Sequence, residues 1–257
     1  MQTKKIALII EYEGTRYHGF QIQAGVPTIQ GEIERALRRV TGERIRIASA
    51  SRTDVGVHAK GQVVTFRTAS PLPPQTFLKA LNHYLPEDIA VREAFGARDN
   101  FDARSGALSR EYCYYLLNSA TPSPLLRRSA YFMPRPLDIE AMNDACQALL
   151  GTHDFAPFAS SLNGRKNTVR TIYKAEVVRE NELVIFHMVA NSFLPHQVRN
   201  TMGALVKVGL GKSDVAAFRE ILRSKKPAIA GPALPPHGLC LMKVNYPFSN
   251  IPNWFII

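Results

Sequence analysis

The sequence predicts an α+β fold of two related half-domains, each with a mainly antiparallel sheet and helices packed on one face. The apolar pattern of the first half runs in the order β-α-β-β-α-β, and the second half repeats this order loosely. Such a split β-α-β order places neighbouring strands antiparallel and packs the helices against the sheet. With 257 residues, of which 46% are hydrophobic, the chain can bury a sizeable core.

The first half of the chain alternates strand and helix patterns. Residues 28–41 carry apolar side chains at helical spacing, with Thr28 as the expected N-cap and Gly42 as the stop signal. A second helix is expected over residues 77–85. The expected strands are residues 4–12, 44–50, 62–67 and 89–95.

The second half of the chain begins after a polar, glycine-containing link at residues 99–109. We therefore expect half-domains at residues 1–104 and 105–257. The expected strands are residues 111–118, 169–179, 183–190 and 239–246. The expected helices are residues 138–150, 198–208 and 213–224.

The charge of the chain points to a polyanionic partner. Lys and Arg number 32 against 21 Asp and Glu, a net charge of +11, and neutralising phosphates releases condensed counterions. No apolar run approaches the roughly 20 residues of a membrane span. Cys113, Cys146 and Cys240 form no CxxC pair, which favours a reducing compartment, and the cytoplasm is the expected location.

The sequence shows no motif for a bound metal, nucleotide or serine nucleophile. It lacks HExxH, paired CxxC, an EF-hand loop, the Gly-Lys-Ser/Thr of a phosphate loop and GxSxG. We therefore expect no metal site and no cofactor.

A polar loop over residues 51–59 lies between two apolar strands and contains Arg52 and Asp54. A neighbouring positive charge favours the ionised form of a carboxyl group even where water is excluded. Asp54 therefore has the surroundings that a carboxylate nucleophile needs. The alternative is an Asx-turn, in which the side chain of Asp54 binds its own backbone.

The loop and a set of other motifs resemble the tRNA pseudouridine synthase A family. Arg52-Thr53-Asp54-Val55-Gly56-Val57-His58-Ala59 is similar to the family signature. The other matching segments follow in the family's order: residues 12–15, 19–23, 28–34, 85–89, 101–104, 110–112, 151–155, 193–199 and 237–239. A collinear set of this length is far more specific than one short motif.

The resemblance implies an enzyme that isomerises uridine to pseudouridine in the tRNA anticodon stem-loop, at positions 38, 39 and 40, without a cofactor. It implies an active-site cleft between the half-domains and a catalytic set of Asp54, Tyr112 and Arg199. Asp54 is the implied nucleophile, and Arg199 the implied partner of its carboxylate. The route remains open between attack at C6, attack at C1′ and a glycal pathway.

The resemblance also implies substrate-binding roles for Arg52, Tyr112 and Leu239. Arg52 would enter the space that the flipped base leaves, and Leu239 would form an apolar wall. Tyr112 would either stack on the uracil or act as a base at C5. The family further implies a homodimer that binds one tRNA across both subunits. Candidate contacts to the RNA backbone are Arg38, Arg39, Arg44, Arg46, Arg104, Arg165, Lys166 and Arg170.

Two departures from the family pattern bear on the site. Gln197 stands where the family usually has Met, so a buried amide would need hydrogen-bond partners. Residues 230–236 also differ and precede Leu239. The rival hypothesis is a non-catalytic tRNA-binding protein of the same fold that acts as a folding aid, although such a protein has no need of Asp54, Tyr112 and Arg199 together.

Overall fold

The structure is a computed structural model that describes residues 3–162, 164 and 167–247. The described residues form two compact units. The first comprises those up to Leu108 together with those from Leu241 onward, and the second comprises Ser109–Cys240. No helix within these residues is long and apolar enough to cross a membrane.

The first unit is a sheet with two amphipathic helices. Its strands are β1 (Lys4–Tyr12), β2 (Ala48–Ser49), β3 (His58–Thr68), β4 (Ile89–Ala97) and the greater part of β10 (Leu239–Asn245). Its helices are α1 (Ile29–Thr41) and α2 (Pro74–Tyr84). The strand order is β4-β1-β3-β10, β2 pairs with β3, and β1 is antiparallel to both its neighbours.

The predicted ends of α1 are confirmed. The hydroxyl of Thr28 accepts a hydrogen bond from the amide of Gly31, and Gly42 ends the helix in the left-handed region at φ 76°. Ile29, Ile33 and Leu37 are buried along one face of the helix.

The strand expected over residues 44–50 was wrong in extent, because only Ala48–Ser49 pairs with β3. The amide of Ile47 instead donates to Glu34 Oε1 of α1 at 3.2 Å. The guanidinium of Arg46 binds the other oxygen of the same carboxylate at 3.1 Å. The Glu34 side chain thus accepts the hydrogen bond that the amide of Ile47 would otherwise have available for a longer strand.

The second unit is a sheet with three helices. Its strands are β5 (Ser109–Leu117), β6 (Tyr131–Phe132), β7 (Gly151–Asp154), β8 (Val169–Glu180) and β9 (Leu183–Ala190). Its helices are α3 (Ile139–Gln147), α4 (Gln197–Gly209) and α5 (Val215–Arg223). The order is β5-β9-β8-β7, with antiparallel neighbours, and β6 adds to β5 in parallel.

Aspartates cap two helices of the second unit. Asp138 accepts from the amide of Ala141 at the start of α3, and Asp214 accepts from that of Ala217 at the start of α5. Helix α4 is the most buried of the three and includes the polar buried side chains of Gln197, Asn200 and Thr201. The predicted α+β class with mainly antiparallel strand pairing is confirmed.

Candidate active site

Asp54 lies on a tight turn between β2 and β3. The amide of Val57 donates to the carbonyl of Asp54 at 3.2 Å, and Gly56 adopts φ 76° within the turn. The side chains of Thr53 and Val57 are buried, whereas Asp54 is exposed. The turn therefore fixes the backbone on both sides of a carboxylate that faces outward.

Gln62 holds the beginning of this loop from within the core. Its side chain is fully buried, its Nε2 donates to the carbonyl of Ser51 at 2.7 Å, and its Oε1 accepts from the amide of Ser51 at 3.2 Å. The hydroxyls of Tyr12 and Thr53 are hydrogen-bonded at 2.8 Å beside it. Buried polar groups satisfied in this way specify one conformation of the loop.

The segment after β1 packs against the other side of the loop. The amide of Gly14 donates to Nδ1 of His58 at 3.0 Å, and the amide of Phe20 donates to the carbonyl of Thr53 at 3.0 Å. Gly19 adopts φ 84°, and a Cβ on it would stand 2.9 Å from that same carbonyl. Glycine at this position lets two backbones meet.

Asp88 anchors this segment to the turn before β4. Its carboxylate accepts from Tyr17 at 2.5 Å and from Arg16 Nε at 2.6 Å, and its backbone carbonyl accepts from the amide of Glu13 at 2.9 Å. Burial alone would raise the pKa of Asp88, but the bonds from Arg16 and Tyr17 outweigh it and lower the pKa. The carboxylate thus stays ionised and keeps both donors.

Arg52 is exposed two residues before Asp54. Within the described part of the chain its guanidinium makes no hydrogen bond or ion pair. The side chain is therefore available to a ligand.

Tyr112 lies in the middle of β5 in the second unit and is 6% exposed. Its ring meets Phe193 edge to face, with centroids 5.1 Å apart and planes at 84°. This contact fixes the orientation of the Tyr112 ring.

Arg199 lies in the first turn of α4 and is bound to residues 230–236, which depart from the family pattern. Its Nε donates to the carbonyl of Leu234 at 2.7 Å, and the amide of Leu234 donates back to the carbonyl of Arg199 at 3.3 Å. One edge of the guanidinium is therefore fixed by backbone. The altered segment thus contacts a predicted catalytic residue, a contact that the sequence did not reveal.

A polar network fixes the start of α4. His196, at φ 59°, is linked through Nδ1 to the hydroxyl of Ser160 at 2.8 Å. Nδ2 of Asn200 donates to that hydroxyl at 3.1 Å and to the carbonyl of Phe158 at 2.7 Å. This network sets the direction in which α4 carries Arg199.

Gln197 is 1% exposed, and its side-chain amide is only half satisfied. Oε1 accepts from the amide of Leu194 at 2.8 Å, whereas Nε2 has no partner among the described residues. The departure from Met therefore buries an unsatisfied donor, which costs about 1–3 kcal/mol.

Leu239 begins β10 after a turn of 3-10 helix at Pro236–Gly238 and is buried. The hydroxyl of Tyr114 donates to the carbonyl of Pro235 at 2.7 Å. A Cβ on Gly238 would stand 2.7 Å from the Tyr114 ring. Burial raises the pKa of Tyr114, so the hydroxyl remains protonated and holds this turn.

The basic residues that were predicted to contact the RNA backbone differ in exposure and in their protein partners. Arg170, near the start of β8, is buried and donates to the carbonyls of Asn167 and Val169. It therefore binds the backbone just before it and does not face a phosphate at the surface. Arg46 is exposed and paired with Glu34. Arg165 and Lys166 lie outside the described residues.

Sequence reasoning missed the residues that hold the Asp54 loop. One feature of the sequence could have indicated Gln62: it is a polar amide residue directly before the apolar residues of β3. Asp88 lies in the matching segment 85–89, but the sequence did not indicate its partners Arg16 and Tyr17, which lie more than 70 positions away.

The chain is similar to known tRNA pseudouridine synthases over most of its length. The family model described as tRNA pseudouridine synthase matches residues 8–104 and 145–247. A tRNA pseudouridine synthase A of Acetivibrio thermocellus is 43% identical over 243 residues, which is 95% of this chain and 100% of that protein. One of Exiguobacterium sp. is 42% identical over 243 residues, which is 95% of this chain and 98% of that protein.

The comparison with solved structures gives a weak likeness. A chain in "Crystal Structure of a Cbf5-Nop10-Gar1 Complex" is 12% identical with a TM-score of 0.32, covering 79% of this chain and 54% of that chain.

Proposed function

Because the chain belongs to the tRNA pseudouridine synthase family, we propose that it isomerises uridine to pseudouridine in the tRNA anticodon stem-loop, at positions 38, 39 and 40. The proposal rests on the extent of the family match, which covers residues 8–104 and 145–247. The net charge of +11 supports a polyanionic substrate.

The proposed reaction breaks the C1′–N1 bond of uridine, turns the base and joins C1′ to C5. The proton on C5 is lost, and N1 gains a proton, so the balance is kept. Product and substrate contain the same atoms in the same oxidation state, so the reaction needs no redox cofactor or energy source. A carboxylate suits it, because it can attack and then leave. The rigid turn that presents Asp54 outward supports this residue as the nucleophile.

The other proposed roles rest on the family resemblance and on local geometry. The Tyr112 ring, fixed by Phe193, is proposed to stack on the uracil, and Leu239 to pack against it. Arg199 is proposed as the cation that the catalytic carboxylate requires. Arg52, exposed and unpaired within the described residues, is proposed to replace the flipped base in its stack.

The first experiment measures tritium release from C5-labelled uridine in a tRNA transcript. Wild-type protein is expected to release tritium and Asp54→Ala none, while both bind the tRNA equally. Asp144→Ala is the matched control, because it removes an exposed carboxylate from α3. Turnover by Asp54→Ala at the wild-type rate would exclude Asp54 as the nucleophile.

Arg52 is tested by comparison with Arg98, an exposed arginine in the same unit. Arg52→Ala and Arg98→Ala remove the same charge, so we expect a similar loss of salt-dependent affinity. Only Arg52→Ala is expected to lower single-turnover rates. Equal rates in the two variants would reject the base-flipping role.

A non-catalytic tRNA-binding protein of the same fold is the alternative function. It predicts tRNA binding without tritium release by the wild-type protein.

We further propose that the protein works as a homodimer in the cytoplasm. The family resemblance supports the dimer, and the tRNA substrate supports the location. Light scattering during gel filtration measures the mass, which should be twice 28.6 kDa. A monomer at working concentration would overturn the first proposal.

A further inference from the structure

Three potential metal ligands meet on one face of the second unit's sheet. Cys113 of β5 lies directly opposite His187 of β9, and Glu111 lies two residues before Cys113 on the same strand. Side chains two residues apart on a strand share a face. The carboxylate, thiol and imidazole ligand atoms all lie within 4.8 Å of one another, and Cys113 Sγ is 3.2 Å from His187 Nδ1.

We propose that Glu111, Cys113 and His187 bind a zinc ion. Thiolate, imidazole and carboxylate are the side chains that zinc selects, at bond lengths of about 2.0–2.3 Å. Tetrahedral bonds of that length place ligand atoms about 3.3–3.8 Å apart. Side-chain movements of about an ångström would bring the three ligand atoms, now 3.2 to 4.8 Å apart, to that spacing. Three protein ligands leave the fourth position to water.

The surroundings of the cluster favour a cation. Glu111 is half-buried, and it makes no hydrogen bond or ion pair within the described residues. The ammonium of Lys174, which interacts electrostatically with Glu111, is paired with Glu176 at 2.5 Å. The hydroxyl of Tyr115 is hydrogen-bonded to Cys113, an outer contact of the kind that orients metal ligands.

The site has a route of entry and a structural consequence. Cys113 is buried, whereas Glu111 and His187 are half-buried, so an ion can approach past these two side chains. Tyr112 lies between Glu111 and Cys113 in the strand, and its side chain points to the opposite face. A bound zinc therefore cross-links β5 to β9 without touching the Tyr112 ring.

No sequence motif marks this site, because Cys113 and His187 are 74 residues apart and only strand register joins them. The expectation that the chain has no metal site rested on motif spacing, which cannot detect ligands paired across a sheet.

Cobalt(II) is the probe for the test, because a cobalt–thiolate bond gives a near-ultraviolet charge-transfer band. Chelator-treated, reduced full-length protein is titrated with cobalt chloride and then with zinc chloride. We expect one cobalt per chain, a thiolate band, and loss of that band as zinc displaces cobalt. Wild-type protein should also melt at a higher temperature with zinc than without.

Variants identify the ligands. Cys113→Ser should abolish the charge-transfer band, and Glu111→Gln and His187→Gln should each weaken binding about tenfold or more. Cys146→Ala is the control, because it removes another buried thiol, on α3, and should leave the titration unchanged. Glu111→Gln keeps the shape of a half-exposed side chain and remains informative if Cys113→Ser does not fold.

Absence of the thiolate band in wild-type protein would overturn the proposal. So would unchanged affinity in Glu111→Gln and His187→Gln, or a loss in Cys146→Ala equal to that in Cys113→Ser. The readout is metal binding, so the result is independent of isomerase activity.

Discussion

A Cβ atom on Gly14 would stand 2.0 Å from the carbonyl oxygen of Val57, so only glycine fits where the two segments meet. Gly14 follows β1, and Val57 ends the turn that presents Asp54. The amide of Gly14 also donates to His58, the next residue after Val57. The position of the proposed nucleophile is thus set by a backbone contact from another part of the first unit.

We expect Gly14→Ala to lower the turnover number about a hundredfold, because displacement of a catalytic group by about an ångström has an effect of that order. The overpacked contact should also lower the free energy of unfolding by about 1–3 kcal/mol. Tritium release and urea denaturation measure the two effects. Gly96→Ala is the control, since a Cβ there meets nothing within 4 Å. Equal turnover in the two variants would show that the contact does not position Asp54.

Gln62→Leu tests the support of the loop from within the core. The substitution leaves the amide and carbonyl of Ser51 without their side-chain partner, at a cost of about 1–3 kcal/mol for each group left unsatisfied. We expect lower stability and at least about tenfold slower turnover, with tRNA affinity retained. Gln147→Leu, at an exposed position of α3, should change neither. Turnover of Gln62→Leu at the wild-type rate would show that Gln62 does not hold the loop in its active conformation.

Local signals in the sequence predicted the elements whose structure is decided locally. Thr28 caps α1 and Gly42 ends it as expected, since both act on backbone groups within four residues. The turn at Asp54 followed in the same way from polar and glycine residues between two apolar runs. The structure shows a turn there, and Asp54 is exposed on it.

Contacts between distant residues could not be predicted from the sequence. Residues 44–50 alternate like a strand, yet Glu34 of α1 takes the amide of Ile47. The partners of Asp88, and the register that sets Cys113 opposite His187, also depend on tertiary structure. Local sequence patterns do not depend on which distant residues are in contact. A single sequence therefore indicates neither the partners of Asp88 nor this register.

Asp88→Asn should reveal a pH-dependent support of the Gly14 segment. The pKa of Asp88 is lower in the folded protein than its usual value, so the ionised carboxylate stabilises the fold above about pH 4. That contribution is lost as pH falls through the folded pKa. The variant should therefore be less stable than wild type near pH 7, and the two should converge as the pH falls through the lowered pKa of Asp88.

Urea denaturation across this pH range measures the difference between Asp88→Asn and wild type. Asp144→Asn, at an exposed position, controls for the loss of one carboxylate and should give a curve parallel to wild type. A gap between Asp88→Asn and wild type that stays constant with pH would mean that shape, and not charge, makes Asp88 important.

Gln197→Met tests the half-satisfied amide at the start of α4. The substitution removes the unpartnered Nε2 but also deprives the amide of Leu194 of its acceptor, and these effects are of similar size. Burial of the Met thioether then decides the sign of the change in stability. We expect the free energy of unfolding to rise by up to about 1 kcal/mol. Gln197→Glu keeps an acceptor but buries a carboxylate, and it should destabilise the protein strongly. A fall in stability of Gln197→Met by more than about 1 kcal/mol, measured in urea, would show that the bond to Leu194 outweighs the unsatisfied donor.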